Sequence, residues 1–286
     1  MEHSTAPRTY PHGVPCWIDL EPPDVDAALA FYGALFGWTF TEKLPPGVPG
    51  RYVVASLDGT DATAVAAVAT PDVPADGALA WNTYLAVDDV AASAARVAEL
   101  GGTVVTPPET VGPPDRPAGR MARVRDPQGL PSRLWEAGTR LGAQVVNAPG
   151  TWNFSVLITP DPAAALAFYG PLLGWEVDPE LAAGMARVPG YGRHLAGTSD
   201  PDIFERQAFA PPGFADAVAP IESDDGPARW SVAFAVEDRD AAVAVAEDAG
   251  ATVLSTTETP WTRDAEVRDP QGAVLVLSQF SAPDGA

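Results

Sequence analysis

The stretch Asp24–Trp38, DVDAALAFYGALFGW, decides how the chain is read. Pro22 and Pro23 end the preceding strand, and Asp24 is a good helix N-cap. Apolar side chains then recur at Val25, Ala28, Leu29, Tyr32, Leu35 and Phe36, a helical stripe that must lie on something. Gly37 suits the left-handed position that closes a helix, and Trp38 opens an extended run. That spacing makes Phe31, Tyr32 and Trp38 core residues packing helix on sheet. The pattern returns as Asp161–Trp175, DPAAALAFYGPLLGW, so the chain is an internal duplication.

Working outward, Trp17-Ile18-Asp19-Leu20-Glu21 alternates and reads as a half-buried strand. Strands follow the helix at Tyr52–Leu57 and Ala62–Ala69. A second unit of the same kind starts at Trp81, with strand Asn82–Val87, a helix capped by Asp88 or Asp89, and strands Thr103–Thr106 and Met121–Arg125. Pro107–Gly119 reads as a long Pro-rich loop. Asp126-Pro127-Gln128-Gly129 is a type I turn, and it repeats as Asp269-Pro270-Gln271-Gly272. Leu134-Trp135-Glu136 closes the unit, with Pro131 making that strand irregular. The second half repeats the plan, with its main insertion in a loop at 196–226 that carries Phe204, Phe209 and Phe214. The expected division is a flexible tail at 1–13, a domain at 14–140, a linker at 141–150 and a second domain at 151–282.

The chain has 286 residues, which suits two domains, and 46% hydrophobic residues suffice for packed cores. A net charge of −21 repels phosphate backbones and anionic lipid, so neither nucleic acid nor membrane is an expected partner. Cys16 is the single cysteine, so no intrachain disulfide forms, and it reads as a buried small hydrophobe. The N-terminus lacks the apolar core of a signal peptide, and no run approaches the roughly 20 apolar residues of a membrane span. The expected location is the cytoplasm. Of three histidines, His3, His12 and His194, two fall in the tail. A catalytic divalent metal wants about three convergent N or O ligands, which one body histidine does not build.

Strand, then D-x-x-x-A-x-x-F-Y-x-x-L-G-W, then strands, then a D-P-x-G turn before a last strand resembles the vicinal oxygen chelate superfamily. That group holds glyoxalases, bleomycin-resistance proteins and extradiol dioxygenases. The resemblance covers nearly the whole chain past the tail, twice. It implies an α+β fold of tandem vicinal oxygen chelate domains, each made of two βαβββ modules forming a curved sheet around a cleft. It also implies metal ligands, as His or Gln plus Glu, on the first and last strands of the modules. Carried onto this sequence, those positions hold Trp17, Asn82 and Arg133 in the first half, and Phe154, Ser231 and Val276 in the second. No metal and no cofactor are therefore expected, and glyoxalase, epimerase or dioxygenase chemistry is disfavoured. Catalytic residues are not assigned.

Alternation puts Trp17 and Asp19, Asn82 and Tyr84, and Arg133 and Trp135 on one face. Phe154, Ser231 and, from a loop, Trp261 are the second-half candidates. Aromatic walls with a few polar anchors hold flat apolar ligands. The alternative is that the aromatics fill a collapsed cleft. Lys43 is the one lysine among 17 basic residues, and with abundant Ala, Pro and Gly this looks like a GC-rich, Streptomyces-like genome. Proteins of this type resemble accessory proteins of anthracycline biosynthesis and drug-sequestering resistance proteins. The expectation is metal-independent binding of an aromatic polyketide or anthracycline-like antibiotic, for self-resistance or beside a tailoring enzyme of the same pathway. A cofactor-independent hydroxylase- or lyase-like enzyme acting on the same molecules is the alternative.

Overall fold

The structure is a computed structural model, and it describes residues 6–71, 78–178 and 184–281. The first repeat runs β1 Pro15–Leu20, α1 Val25–Phe36, β2 Thr39–Glu42, β3 Tyr52–Ser56, β4 Ala64–Ala69, β5 Trp81–Ala86, α2 Val90–Glu99, β6 Thr103–Val111, β7 Gly119–Arg125 and β8 Pro131–Ala137. The second runs β9 Thr151–Thr159, α3 Pro162–Leu173, β10 Glu176–Val177, β11 Met185–Arg187, α4 Tyr191–Gly197, α5 Ile203–Arg206, β12 Ala217–Ser223, β13 Arg229–Ala235, α6 Arg239–Asp248, β14 Thr252–Glu258, β15 Thr262–Arg268 and β16 Val274–Phe280. Strand order follows the duplication: β2-β3-β4-β1-β5-β8-β7-β6 in one mixed sheet and β10-β11-β12-β9-β13-β16-β15-β14 in the other.

The organising helices form for the reasons their sequences give. Asp24 Oδ1 accepts from Ala27 N at 3.0 Å, and Gly37 ends α1 with φ of 70° while donating to Gly33 O. In α3, Asp161 accepts from Ala164 N and Gly174 has φ of 72°. The buried face of α1 is Val25, Ala28, Phe31 and Tyr32, with Leu29, Leu35 and Phe36 half-buried.

The chain divides into two compact units, and each takes one module from each repeat. The first comprises residues Met1–Trp17, Thr83–Gly142 and Ser155–Trp230; the second comprises Ile18–Asn82, Ala143–Phe154 and Ser231–Ala286. Helix pairing goes the same way, α2 against α3 in the first unit and α1 against α6 in the second.

The two recurring motifs hold each unit together. In the second unit, Tyr32 of the FYG helix donates its phenol to Asp269 of the DPQG turn at 2.8 Å. Gln271 of that turn accepts from Asp24 N at 2.9 Å and donates to Asp24 O at 2.8 Å, bracketing the N-cap of α1. In the first unit, Tyr169 donates to Asp126 at 3.3 Å, while Gln128 donates to Asp161 O and accepts from Thr159 Oγ1. Each DPQG turn therefore latches the FYG helix of the other repeat. Trp38 and Trp175, which close the two motifs, donate their indole N–H groups to Gly150 O and Gly13 O, both at 2.7 Å. An aromatic cluster of Tyr32, Phe36, Trp38, Trp81 and Phe234 fills the second unit; Tyr169, Trp175 and Trp230 are its smaller counterpart in the first.

Several loops expected from sequence hold regular structure. β6 continues through Pro107 and Pro108 to Val111, pairing Glu109 with Met121, so the connecting turn is only 112–118. The prolines donate no N–H, and the ladder shifts register between Thr106 and Glu109, where they lie. The stretch 196–226 contains α5 and β12; Phe204 and Phe209 are exposed there and Phe214 is half-buried. Of the tail expected at 1–13, residues 1–5 lie outside the described residues. Beyond them, Arg8 donates to the Tyr191 phenol, Thr9 bonds His194, and His12 Nε2 bonds Leu172 O at 3.0 Å. No helix of the described residues is long and apolar enough to cross a membrane.

Buried acids set the response to alkali. Burial pushes the Tyr32 and Tyr169 phenols well above the usual 10.0, and their aspartate partners add to the shift. Burial likewise raises Tyr10 and the Cys16 thiol. A raised folded pKa favours the protonated fold, so the unfolded chain holds fewer protons once pH passes about 9–10. The stabilisation is complete below that range and is lost progressively as pH rises past it toward the raised folded values. The melting temperature should hold between pH 7 and 8.5 and fall steeply by pH 11. A flat profile to pH 11 would contradict the burial of these groups.

Candidate functional site

The site is built on the strands of the first unit, on the face turned away from α2. Pairing sets its rows: Tyr84 of β5 stands beside Arg133 of β8, which stands opposite Arg123 of β7, which stands opposite Thr106 of β6. The next row is Ala86, Trp135, Met121 and Glu109. Alternation sends the intervening Leu134, Ala122 and Val124 into the core under α2.

Within this face the side chains engage one another. Arg133 Nη1 donates to the Tyr84 phenol at 2.7 Å, and its guanidinium lies 5.2 Å from that ring's centroid. The Trp135 ring meets Tyr84 edge-on at 6.1 Å and donates Nε1–H to Arg140 O at 3.1 Å. The Arg140 guanidinium in turn covers Trp17, 5.6 Å from the ring. Gly119 permits this packing, because a Cβ there would fall 2.5 Å from Trp135 Cζ2. The face is closed: Trp17 is 2% exposed, Tyr84 4%, Trp135 5% and Arg133 6%. A cavity of about 210 Å³ lies at its Trp135 end, lined by Tyr10, Ala86, Val87, Asp88, Trp135, Glu136, Ala137 and Leu141.

The remaining candidates belong to the second unit. Asn82 Nδ2 donates to Asp19 Oδ1 at 2.9 Å, and Asp19 is fully buried. Phe154 on β9 and Ser231 on β13 are half-buried. Trp261 is not brought to Ser231. It lies in the turn between β14 and β15, where Thr262 pairs with Phe280, whereas Ala233 is level with Val276 and Glu266. Ser231 and Trp261 therefore sit at opposite ends of the strands, roughly 20 Å apart at about 3.3 Å per residue. Alternation across the β7–β8 hairpin could have identified Arg123 as a member of the first face, but the sequence reading did not include it.

The residues at the superfamily's metal-ligand positions do not fit a metal. The Trp17 indole and the Arg133 guanidinium have no lone pair to give. The Asn82 amide donates through Nδ2 to Asp19, and Phe154 and Val276 offer no donor atoms. Among the described residues, no group of three His, Cys, Asp or Glu side chains converges.

Residues 17–132 match the Glyoxalase/Bleomycin resistance protein/Dioxygenase superfamily, and residues 154–278 match a glyoxalase-like domain. A protein of Mycobacterium tuberculosis named as a candidate glyoxylase, CFP32, is 37% identical over 93% of this chain and 94% of its own length. The anthracycline biosynthesis protein DnrV of Streptomyces peucetius is 35% identical over 91% of each chain. Among solved structures, the Mn(II)-bound glyoxalase from Novosphingobium aromaticivorans superposes with a TM-score of 0.59 at 18% identity, covering 99% of this chain and 86% of that one. The shared motifs, the two mixed sheets and these matches agree: the chain is a tandem-domain member of the glyoxalase/bleomycin resistance protein/dioxygenase superfamily, the vicinal oxygen chelate fold.

Proposed function

We propose that the chain binds a flat aromatic small molecule, an aromatic polyketide or anthracycline-like antibiotic, without a metal. Binding serves sequestration and self-resistance, or presents the molecule to a tailoring enzyme of the same pathway. The observation that carries this reading is the replacement of metal-ligand chemistry by the Tyr84–Arg133–Trp135 set on one sheet face. Similarity to an anthracycline biosynthesis protein over 91% of the chain supports the ligand class.

The ligand ring would replace the contacts that now fill the face. Trp135 supplies a stacking surface worth about 0.5–1.5 kcal/mol per ring pair beyond area burial. Arg133 turns from the Tyr84 phenol to a carbonyl or phenolate oxygen of the ligand, keeping a charge-assisted bond. In the second unit, taken by itself, Phe154 and Ser231 line a second candidate surface.

Titration with a planar anthracycline aglycone, read by tryptophan fluorescence, should give saturable quenching that survives chelator. Trp135→Ala should weaken binding by roughly 1–3 kcal/mol; because the ring is buried, it should also cost about 3–5 kcal/mol of stability, so affinity is read well below the variant's melting transition. Unaltered affinity in that variant would remove the site from this face. The second reading, cofactor-independent catalysis, draws on the similarity to the candidate glyoxylase. It requires a new product mass after incubation.

A further inference from the structure

The cavity at the Trp135 end of the first unit has a lining of distinct chemistry. Its walls are the rings of Tyr10 and Trp135 with the aliphatic residues Ala86, Val87, Ala137 and Leu141, and its polar lining residues are Asp88 and Glu136. Among the described residues, no basic side chain lines it. Glu136 Oε2 is held by Val90 N at 2.9 Å and by Arg120 Nη1 at 3.2 Å, which fixes the carboxylate. The Asp88 side chain is exposed, and its backbone N–H donates to His12 Nδ1 at 3.3 Å. The nearby charges behind the lining are Asp89, which caps α2, and three arginines: Arg120 on Glu136, Arg8 over the Tyr10 ring, and Arg140 over Trp17.

Two aromatic residues and two carboxylates around a small space whose open lining is largely polar suit an organic ammonium ion. Ring faces attract a diffuse cation, and a carboxylate at the rim pairs with it while the alkyl shell is desolvated. A bare metal ion would want several converging oxygens, which the walls do not offer. A volume of about 210 Å³ suits a group the size of a quaternary ammonium or one amino sugar, not a polycyclic ring system.

We infer that this cavity, walled by Tyr10 and Trp135 and rimmed by Asp88 and Glu136, is a binding subsite for a small organic ammonium group. It rests on the proposed binding function in one respect: it would take the amine-bearing arm of a ligand whose ring lies on the neighbouring Trp135 face. A probe without an aromatic ring tests it separately.

The test uses the full chain and calorimetric titration with choline, against its neutral carbon isostere 3,3-dimethylbutan-1-ol and against sodium chloride. Choline should bind saturably, roughly tenfold more tightly than the isostere. Asp88→Asn should weaken choline about fivefold with an unchanged melting temperature, since the side chain is exposed. Equal binding of the isostere, displacement by sodium, or unchanged affinity in Asp88→Asn would overturn the assignment. So would an absence of saturable choline binding. If the uncharged aglycone binds while choline does not, only the ammonium subsite fails; if choline binds while the aglycone does not, the ring site fails and the subsite stands.

Discussion

Replacing Asp269 by alanine should cost about 3–5 kcal/mol of stability, the largest loss expected from any single polar substitution here. Asp269 is 4% exposed, and its two oxygens serve three donors. Oδ1 accepts from Gln271 N at 2.8 Å and Ala273 N at 2.9 Å, forming the turn; Oδ2 accepts from the Tyr32 phenol at 2.8 Å, latching the helix. Alanine leaves all three donors without their acceptor in a buried place. Tyr32→Phe removes only the latch and should cost about 1–3 kcal/mol, because Asp269 Oδ2 and the Trp81 indole N–H then lose a partner. The double variant should fall short of the sum, since both changes break the same bond. Urea unfolding of the four proteins measures this cycle. Additive losses, or a loss under 1 kcal/mol for Asp269→Ala, would show that the turn and helix do not depend on each other.

Gly13→Ala should be nearly as damaging, at about 2–5 kcal/mol. Gly13 has φ of 87°, and a Cβ there would lie 2.0 Å from Leu173 O. Its carbonyl receives the Trp175 indole, and its N–H donates to Ala86 O at 2.8 Å, so the backbone has little room to move. Gly37→Ala is the control. Its φ of 70° carries similar left-handed strain, but the added Cβ meets nothing within 4 Å. That variant should lose only about 1–2 kcal/mol. Comparable losses from both would mean that the packing of Gly13 against Leu173 contributes little.

Much of the fold can be read from local sequence. The N-caps Asp24 and Asp161, the closing Gly37 and Gly174, and the DPQG turns each impose their geometry within a few residues. Which turn latches which helix cannot be read that way. Asp126-Pro127-Gln128-Gly129 and Asp269-Pro270-Gln271-Gly272 are identical, so only the long-range chain path sends Tyr32 to Asp269 and Tyr169 to Asp126. The extension of β6 through Pro107 and Pro108 is similar, because the cross-strand partner Met121 outweighs the proline signal.

For the site, period-two alternation suffices to place Tyr84, Arg133 and Trp135 on one face, and register then adds Arg123. It does not reveal that the face is closed. Closure comes from segments distant in sequence: Arg140 lies over Trp17, and Tyr10 lines the space beside Trp135. Residues expected to form a tail thus contribute a wall. Trp261 could not be placed from sequence, because its position depends on the length and register of the β14–β15 hairpin.

The most direct measurement is a titration of the full chain with a planar anthracycline aglycone in chelator, followed by mass analysis of the recovered ligand. Metal-independent binding at the Trp135 face predicts saturable quenching in the parent, quenching weakened by roughly 1–3 kcal/mol in Trp135→Ala, and a ligand of unchanged mass. No saturable quenching, quenching abolished by chelator, or a ligand recovered with a new mass would contradict it.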